Sequence, residues 1–302
     1  MKKIAIIVLN WKQPKLTIET INSLLKIKHS SFNYEIILVD NGSPDDSLKN
    51  FNQEYKNNKL IKILNTKSNL GYAGGNNFGI DYALKNNFDF IILLNNDVLV
   101  DSNFLNELLK ESANYDIIGP KIYFAPGFEF HKDRYQTKDL GKVIWSMGGQ
   151  MDWNNIYGSN ISIDEVDHGQ FKEIMNKVDF ISGCCLMASR QVFQKIGKLD
   201  ENYFMYLEDV DFCQRAKIVG FKMACIPKSI IWHVNSGSTS GPGDLQNYFI
   251  TRNRIYFAYK YAKLRTKIAI FRESFKFLFK SKWQRQAVID IYINKMNKGS
   301  WQ

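Results

Sequence analysis

Phe88-Asp89-Phe90-Ile91-Ile92-Leu93-Leu94-Asn95-Asn96-Asp97 decides how this chain is read: a mostly apolar run of strand length ends in two amides and a carboxylate. An apolar run without polar alternation belongs to a strand buried on both faces, as in a parallel sheet covered by helices. Working outward, the same arrangement repeats. Residues 4–9 run into Asn10, residues 34–39 run into Asp40-Asn41-Gly42-Ser43, and residues 60–64 form another such strand. Between them, residues 15–26, 45–56 and 75–85 have the spacing of helices. The expected class is α/β, a mostly parallel sheet flanked by helices. Ligands of such sheets bind beyond the carboxyl ends of the strands, which is where the polar clusters fall.

Composition narrows the reading further. The 302 residues are 45% apolar and 23% charged, with 6 Pro and 19 Gly, which excludes disorder, fibrous repeats and long linkers. No apolar run reaches the roughly 18 residues of a membrane span. The first residues, Met1-Lys2-Lys3 and an apolar stretch ending at Asn10-Trp11-Lys12, are too short for a secretory leader and read as a buried strand, so the chain is expected in the cytoplasm. Cys184, Cys185, Cys213 and Cys225 show no C-x-x-C pair and are expected as buried free thiols.

The formal charge is +10, but it is unevenly placed. Residues 259–302 hold eleven Lys or Arg against Glu273 and Asp290, whereas residues 1–258 hold 29 basic and 28 acidic residues. A nearly neutral body does not track a polyanion, so no nucleic-acid partner is expected. In the tail, Ile268, Phe271, Phe275, Leu278 and Phe279 recur at helical spacing among basic residues, with Trp283 following. That pattern fits a basic amphipathic helix on an anionic membrane surface, and equally a helix docking its stripe on the body.

The second half reads as a glycine- and aromatic-rich excursion over residues 117–177. Then come a strand at 178–188, helices at 190–196 and 208–220, strands at 221–227 and 230–233, and helices from 243 onward. Residues 235–241, rich in Gly and Ser, have the composition of a lid.

Six clusters carry chemistry. Asp40-Asn41-Gly42-Ser43-Pro44-Asp45 either accepts hydrogen bonds from a base or ribose, or forms a turn with a helix cap. Asn69 to Gly79 has glycines that admit a diphosphate close to the backbone at a helix start, or that serve tight packing. Asn95-Asn96-Asp97 offers a hard-cation ligand in Asp97 and a neutral oxygen in Asn95, or a strand-end turn. Glu208 and Asp209 open a helix, where one can complement the dipole and the other serve as a base. His233 follows an apolar strand, a structural position or a third ligand beside Asp97. Arg252 and Arg254 offer a phosphate clamp, or a solvated helix face.

Taken in order, V-D-N-G-S at 39–43, N-L-G-Y-A-G-G-N-N at 69–77, L-N-N-D at 94–97, S-G-C-C-L-M at 182–187, G-x-L-D-E-x-Y-F-M-Y-x-E-D-V-D at 197–211 and W-H at 232–233 resemble the family 2 glycosyltransferases, especially bacterial rhamnosyltransferase-like members. The resemblance implies a GT-A fold, a nucleoside-diphosphate sugar donor, a divalent cation (Mg2+ or Mn2+) and inversion at the anomeric carbon. Carried over by position, Asp97 and His233 with Asn95 hold the metal, and Asp209, rather than Glu208, is the base. The nucleotide-sugar site is expected to include Leu9, Asn10, Asp40, Asn41, Gly42, Asn69, Gly71, Tyr72, Gly74, Asn77, Asn95, Asn96, Arg252 and Arg254. Asn95 departs from the aspartate many relatives carry, which would weaken metal affinity.

The expected organisation is a catalytic domain over 1–258, with a nucleotide-binding half to about 116 and an acceptor-side half from 117, and a basic tail over 259–302 on the inner face of the membrane. The expected acceptor is a glycan or lipid-linked glycan of a bacterial surface polysaccharide. Rhamnose is the first-choice sugar, with uridine diphosphate hexoses and galactofuranose open. A nucleotidyltransferase would want a basic glycine-rich loop near the N-terminus, which residues 9–15 lack. A non-catalytic glycan-binding relative would have no use for Glu208, Asp209 and His233 together.

Overall fold

The computed structural model describes residues 1–29, 31–234 and 243–301. β1 (Lys2–Asn10), β2 (Phe32–Asp40), β3 (Ile61–Asn65) and β4 (Phe90–Leu94) alternate with α1 (Pro14–Leu24), α2 (Ser47–Glu54) and α3 (Gly71–Lys85). β5 (Val98–Val100), α4 (Phe104–Glu111) and β6 (Ile117–Phe124) follow. The excursion holds β7 (Ile144–Ser146), β8 (Gly149–Asp152) and β9 (Tyr157–Asn160). The chain then re-enters the sheet through β10 (Cys185–Ser189), α5 (Arg190–Ile196), α6 (Glu208–Ile218) and β11 (Met223–His233). It finishes with α7 (Asp244–Tyr261), α8 (Leu264–Phe277) and α9 (Lys282–Tyr292).

The main sheet runs β3-β2-β1-β4-β10-β6-β11-β5, with β7 on β6. It is mixed. The first four strands are mutually parallel and β6 is parallel to β11, while β10 lies antiparallel between β4 and β6, and β5 antiparallel to β11. Burial on both faces explains the unbroken apolar strands. Ile7, Ile37, Val39, Ile91 and Leu93 point into one core cluster with Ala73 and Ile80 of α3. Ile6, Ile36, Leu38, Ile92 and Leu94 point into another with Ile21 of α1 and Phe51 of α2.

Three expected elements differ. The third helix starts at Gly71 rather than residue 75, so most of the expected glycine loop is helix. Added Cβ atoms at Gly75 and Gly79 would stand 2.5 Å and 2.7 Å from Leu9 and Ile7, so these glycines let α3 lie close on β1. The expected strand at 178–188 is extended only from Cys185, because Ser182 to Cys184 turn across the strand ends. The two strands expected at 221–233 are one, β11, whose register shifts between Ile226 and Ile230 around Pro227, which has no amide hydrogen for the ladder. The four cysteines are free and buried. No helix among the described residues is long and apolar enough to cross a membrane.

Candidate functional site

The strand ends are tied by one buried polar network. Asn10 donates to Asp40 Oδ1 at 3.0 Å and accepts from Thr17 Oγ1 at 2.8 Å, and Asn96 donates to the same Thr17 hydroxyl at 2.9 Å. Asp40 also receives the Ser43 amide and the Asn65 side chain. Asn41 accepts from the Leu70 amide and donates to the Gly71 carbonyl and to Asn69. Gly42 and Gly71 have positive φ, and a Cβ on either would overlap backbone, that of Ser68 or Phe204. Asn10, Asp40, Asn41, Gly42, Asn69, Gly71 and Asn96 therefore converge at the carboxyl edge of β1, β2 and β4 as expected. Asp40 has its acceptors taken by this chain's own donors.

Asp97 and His233 meet, although 136 positions separate them. β5 pairs with the end of β11, His233 lies opposite Val98, and the Val234 amide donates to the Asp97 carbonyl at 2.7 Å. This register leaves Asp97 Oδ1 3.2 Å from His233 Nε2. Both side chains are largely buried. Asp97 Oδ1 and His233 Nδ1 make no hydrogen bond, and the Trp145 ring lies 4.7 Å from the imidazole.

Two ligands at right angles, each about 2.1 Å from an ion, stand roughly 3 Å apart, so an orphaned carboxylate oxygen facing an imidazole nitrogen at this spacing fits one divalent ion. The fit is a pair only. No group of three His, Cys, Asp or Glu side chains suited to a metal occurs among the described residues, so Asn95, a substrate or water would complete the shell.

Asp209 joins this pair through backbone. Its Oδ2 accepts the Gly183 amide at 2.7 Å and its Oδ1 the Val210 amide at 2.8 Å. The next carbonyl, that of Cys184, accepts the Asn95 amide at 3.0 Å. Burial raises the Cys184 thiol well above its ordinary range, and the negative potentials of Asp97 and Asp209 add to it.

Burial also raises Asp209, against the lowering effect of its amide bonds. Glu208 is raised well above the usual carboxyl range by burial and by the neighbouring Asp209 charge, and its Oε2 has no partner. Tyr72 donates to the Gly183 carbonyl at 2.6 Å. An added Cβ on Gly183 would stand 2.9 Å from the Tyr72 hydroxyl and 3.4 Å from Asp209 Cβ. The position admits little beyond hydrogen.

Several expected ligands are structural. Asn77 is held by Leu199 and Glu201, away from the strand ends. Leu9 and Gly74 serve packing, Leu9 beneath Gly75, and Gly74 inside α3 with its Cα facing Leu70. Arg252 is fully buried, donating to the Asn202 and Tyr203 carbonyls and stacking on Phe249. Arg254 pairs with Glu273 at 2.8 Å and donates to the Asn155 carbonyl. Both arginines are engaged elsewhere in the fold, so the structure does not bring the expected phosphate clamp to the strand ends. The expected lid at 235–241 lies outside the described residues.

Sequence reasoning missed what holds the acids. Phe204, Tyr206 and Leu207 all have positive φ just before Glu208, a strained conformation for residues with side chains. Asn253 fixes that turn by donating to the carbonyls of Tyr203, Met205 and Tyr206 at 2.8–2.9 Å. The available signal was an amide between two arginines in an aromatic helix, a combination ill-suited to a solvated face.

A family model described as glycosyl transferase family 2 matches residues 4–197. The chain is 30% identical over 186 residues to the low-salt glycan biosynthesis hexosyltransferase Agl10 of Haloferax volcanii, covering 61% of this chain and 53% of that one. It is 26% identical over 219 residues to an N-acetylglucosaminyl-diphospho-decaprenol L-rhamnosyltransferase of Mycobacterium tuberculosis, covering 68% and 67%. The chain thus spans about half to two thirds of these relatives' lengths. The crystal structure of GalNAc-T7 with UDP, GalNAc and Mn2+ superposes with a TM-score of 0.65 at 16% identity, over 97% of this chain and 57% of the other. At that identity the likeness establishes the fold, which is GT-A.

Proposed function

The chain belongs to glycosyl transferase family 2 and is rhamnosyltransferase-like, and on that premise we propose that it transfers a sugar from a nucleoside-diphosphate donor to a hydroxyl of a glycan or lipid-linked glycan, with inversion. Rhamnose is the sugar we favour, since the Mycobacterium relative is named for it. One observation carries the reading. The Gly183-Cys184 segment holds the Asp209 carboxylate by one amide and the Asn95–Asp97 strand end by the next carbonyl.

In this reading Asp209 accepts the proton of the acceptor hydroxyl as that oxygen attacks the anomeric carbon opposite the leaving diphosphate. Two amide bonds fix the direction of its lone pairs, and burial raises its basicity towards neutral pH. Tyr72 holds the Gly183 peptide from the other side and so keeps the base in place. Asp97 and His233 would hold Mg2+ or Mn2+, which when bound supplies charge neutralisation at the leaving diphosphate. The strand-end network of Asn10, Asp40 and Asn41 shapes the nucleotide end of the cleft and excludes water from it. Positioning and electrostatics supply most of the acceleration, with the base adding roughly 10²–10⁴-fold.

The experiment is a donor panel. Deoxythymidine diphosphate rhamnose, uridine diphosphate hexoses and a galactofuranose donor are each offered with a polyprenyl-diphosphate-linked N-acetylglucosamine acceptor, with and without Mn2+. Transfer from one donor supports the reading. Release of inorganic diphosphate from a triphosphate would instead mark a nucleotidyltransferase, and no turnover with intact nucleotide binding a non-catalytic relative.

A further inference from the structure

Helix α8 has two apolar stripes, and the fold uses one. Ile270, Ser274 and Phe277 are buried where α8 packs on α7 and α9. Leu264, Ile268, Phe271 and Phe275, with Phe279 just beyond the helix end, are 43–87% exposed. Steps of four, three, four and four residues keep this second stripe on one side, roughly 130° around the helix from the docked one at about 100° per residue. The patch continues onto α9, where exposed Tyr292 lies 6.0 Å, ring to ring, from Phe271.

Charge identifies the occupant. Arg265, Arg272 and Lys276 flank the exposed stripe. The two acids of residues 259–302 are both engaged: Glu273 pairs with Arg254, and buried Asp290 accepts from Tyr248, Gln286 and Ser300. Lys260 is held by Asp200 and Asp211, and the other ten basic residues of this segment have no free carboxylate of the segment to oppose them. Pairing this face with a second copy would bring two surfaces of the same sign together.

We infer that the exposed face of α8 and the end of α9 dock on an anionic lipid bilayer, aromatic stripe in the interface and basic flank on the headgroups. The inference stands on the tail alone and needs no donor or acceptor. It has a consequence for the site: α8 packs on α7, whose Asn253 fixes the turn ahead of Glu208 and Asp209, so docking would fix the acids relative to the bilayer.

The test is vesicle sedimentation of the full chain with phosphatidylcholine alone, or mixed with phosphatidylglycerol, at about 0.05 and 0.5 M salt. Wild type should pellet with mixed vesicles at low salt, at least about tenfold more than with neutral ones, and less at high salt. Phe275→Asp with Phe279→Asp, both at exposed positions, should abolish pelleting with an unchanged melting temperature, and Arg272→Glu with Lys276→Glu should weaken it. Three results would each overturn the inference: no pelleting of wild type, equal pelleting of the aspartate variant, or a dimer of wild type that the aspartate variant dissolves.

Discussion

Glu208 and Asp209 are adjacent carboxyls in different circumstances. Asp209 has two amide donors, whereas Glu208 is buried with one oxygen unpartnered, so ionising it costs the folded state. A carboxyl raised in the fold adds stability below its unfolded pKa and loses it as pH rises through the folded one. Glu208→Gln should therefore raise the melting temperature by a few degrees at neutral pH, with the gain shrinking towards pH 4, and should leave transfer within about tenfold. Scanning calorimetry across pH checks this, and an unchanged or lowered temperature at pH 7 would contradict it. Transfer itself should fall as pH drops through the raised Asp209 value, placing the acidic limb of the rate profile above that of an ordinary aspartate. The Asp97–His233 pair makes a separate prediction: His233→Ala should cut the Mn2+-dependent thermal stabilisation by a nucleoside diphosphate at least about tenfold in apparent affinity. Equal stabilisation of both proteins would remove His233 from the metal.

The turn from Tyr203 to Leu207 is the element that most needs support, since three of its residues sit at positive φ. Asn253→Ala strips hydrogen bonds from three carbonyls, which should cost about 1–3 kcal/mol and lower kcat more than donor affinity, because α6 would lose its fixed start. Steady-state kinetics with a melting curve separate the two effects, and a loss of donor affinity alone would contradict this role. Periodicity made β1 to β4 and their helices legible, since strands buried on both faces leave continuous apolar runs. It misplaced the start of α3, because a glycine run reads as a loop when its small side chains in fact let a helix approach Leu9 and Ile7. Arg252 and Arg254 misled for a related reason. An arginine is written the same way whether it binds phosphate or bolts a turn, and only the carbonyls around it decide.

At the scale of the molecule, the site exists because distant segments reach one sheet edge. Pairing of β5 with β11 brings Asp97 to His233, and the crossing of 182–184 ties Asp209 to the strand end at Asn95, neither of which local sequence encodes. The order of the motifs did make the family legible, and with it the GT-A fold. The measurement that bears most directly on the shared site is single-turnover transfer by Asp209→Asn beside its thermal stabilisation by Mn2+ and nucleoside diphosphate. Transfer should fall about 10²–10⁴-fold with the stabilisation unchanged. Loss of both together, or retention of both, would contradict Asp209 as the base of this site.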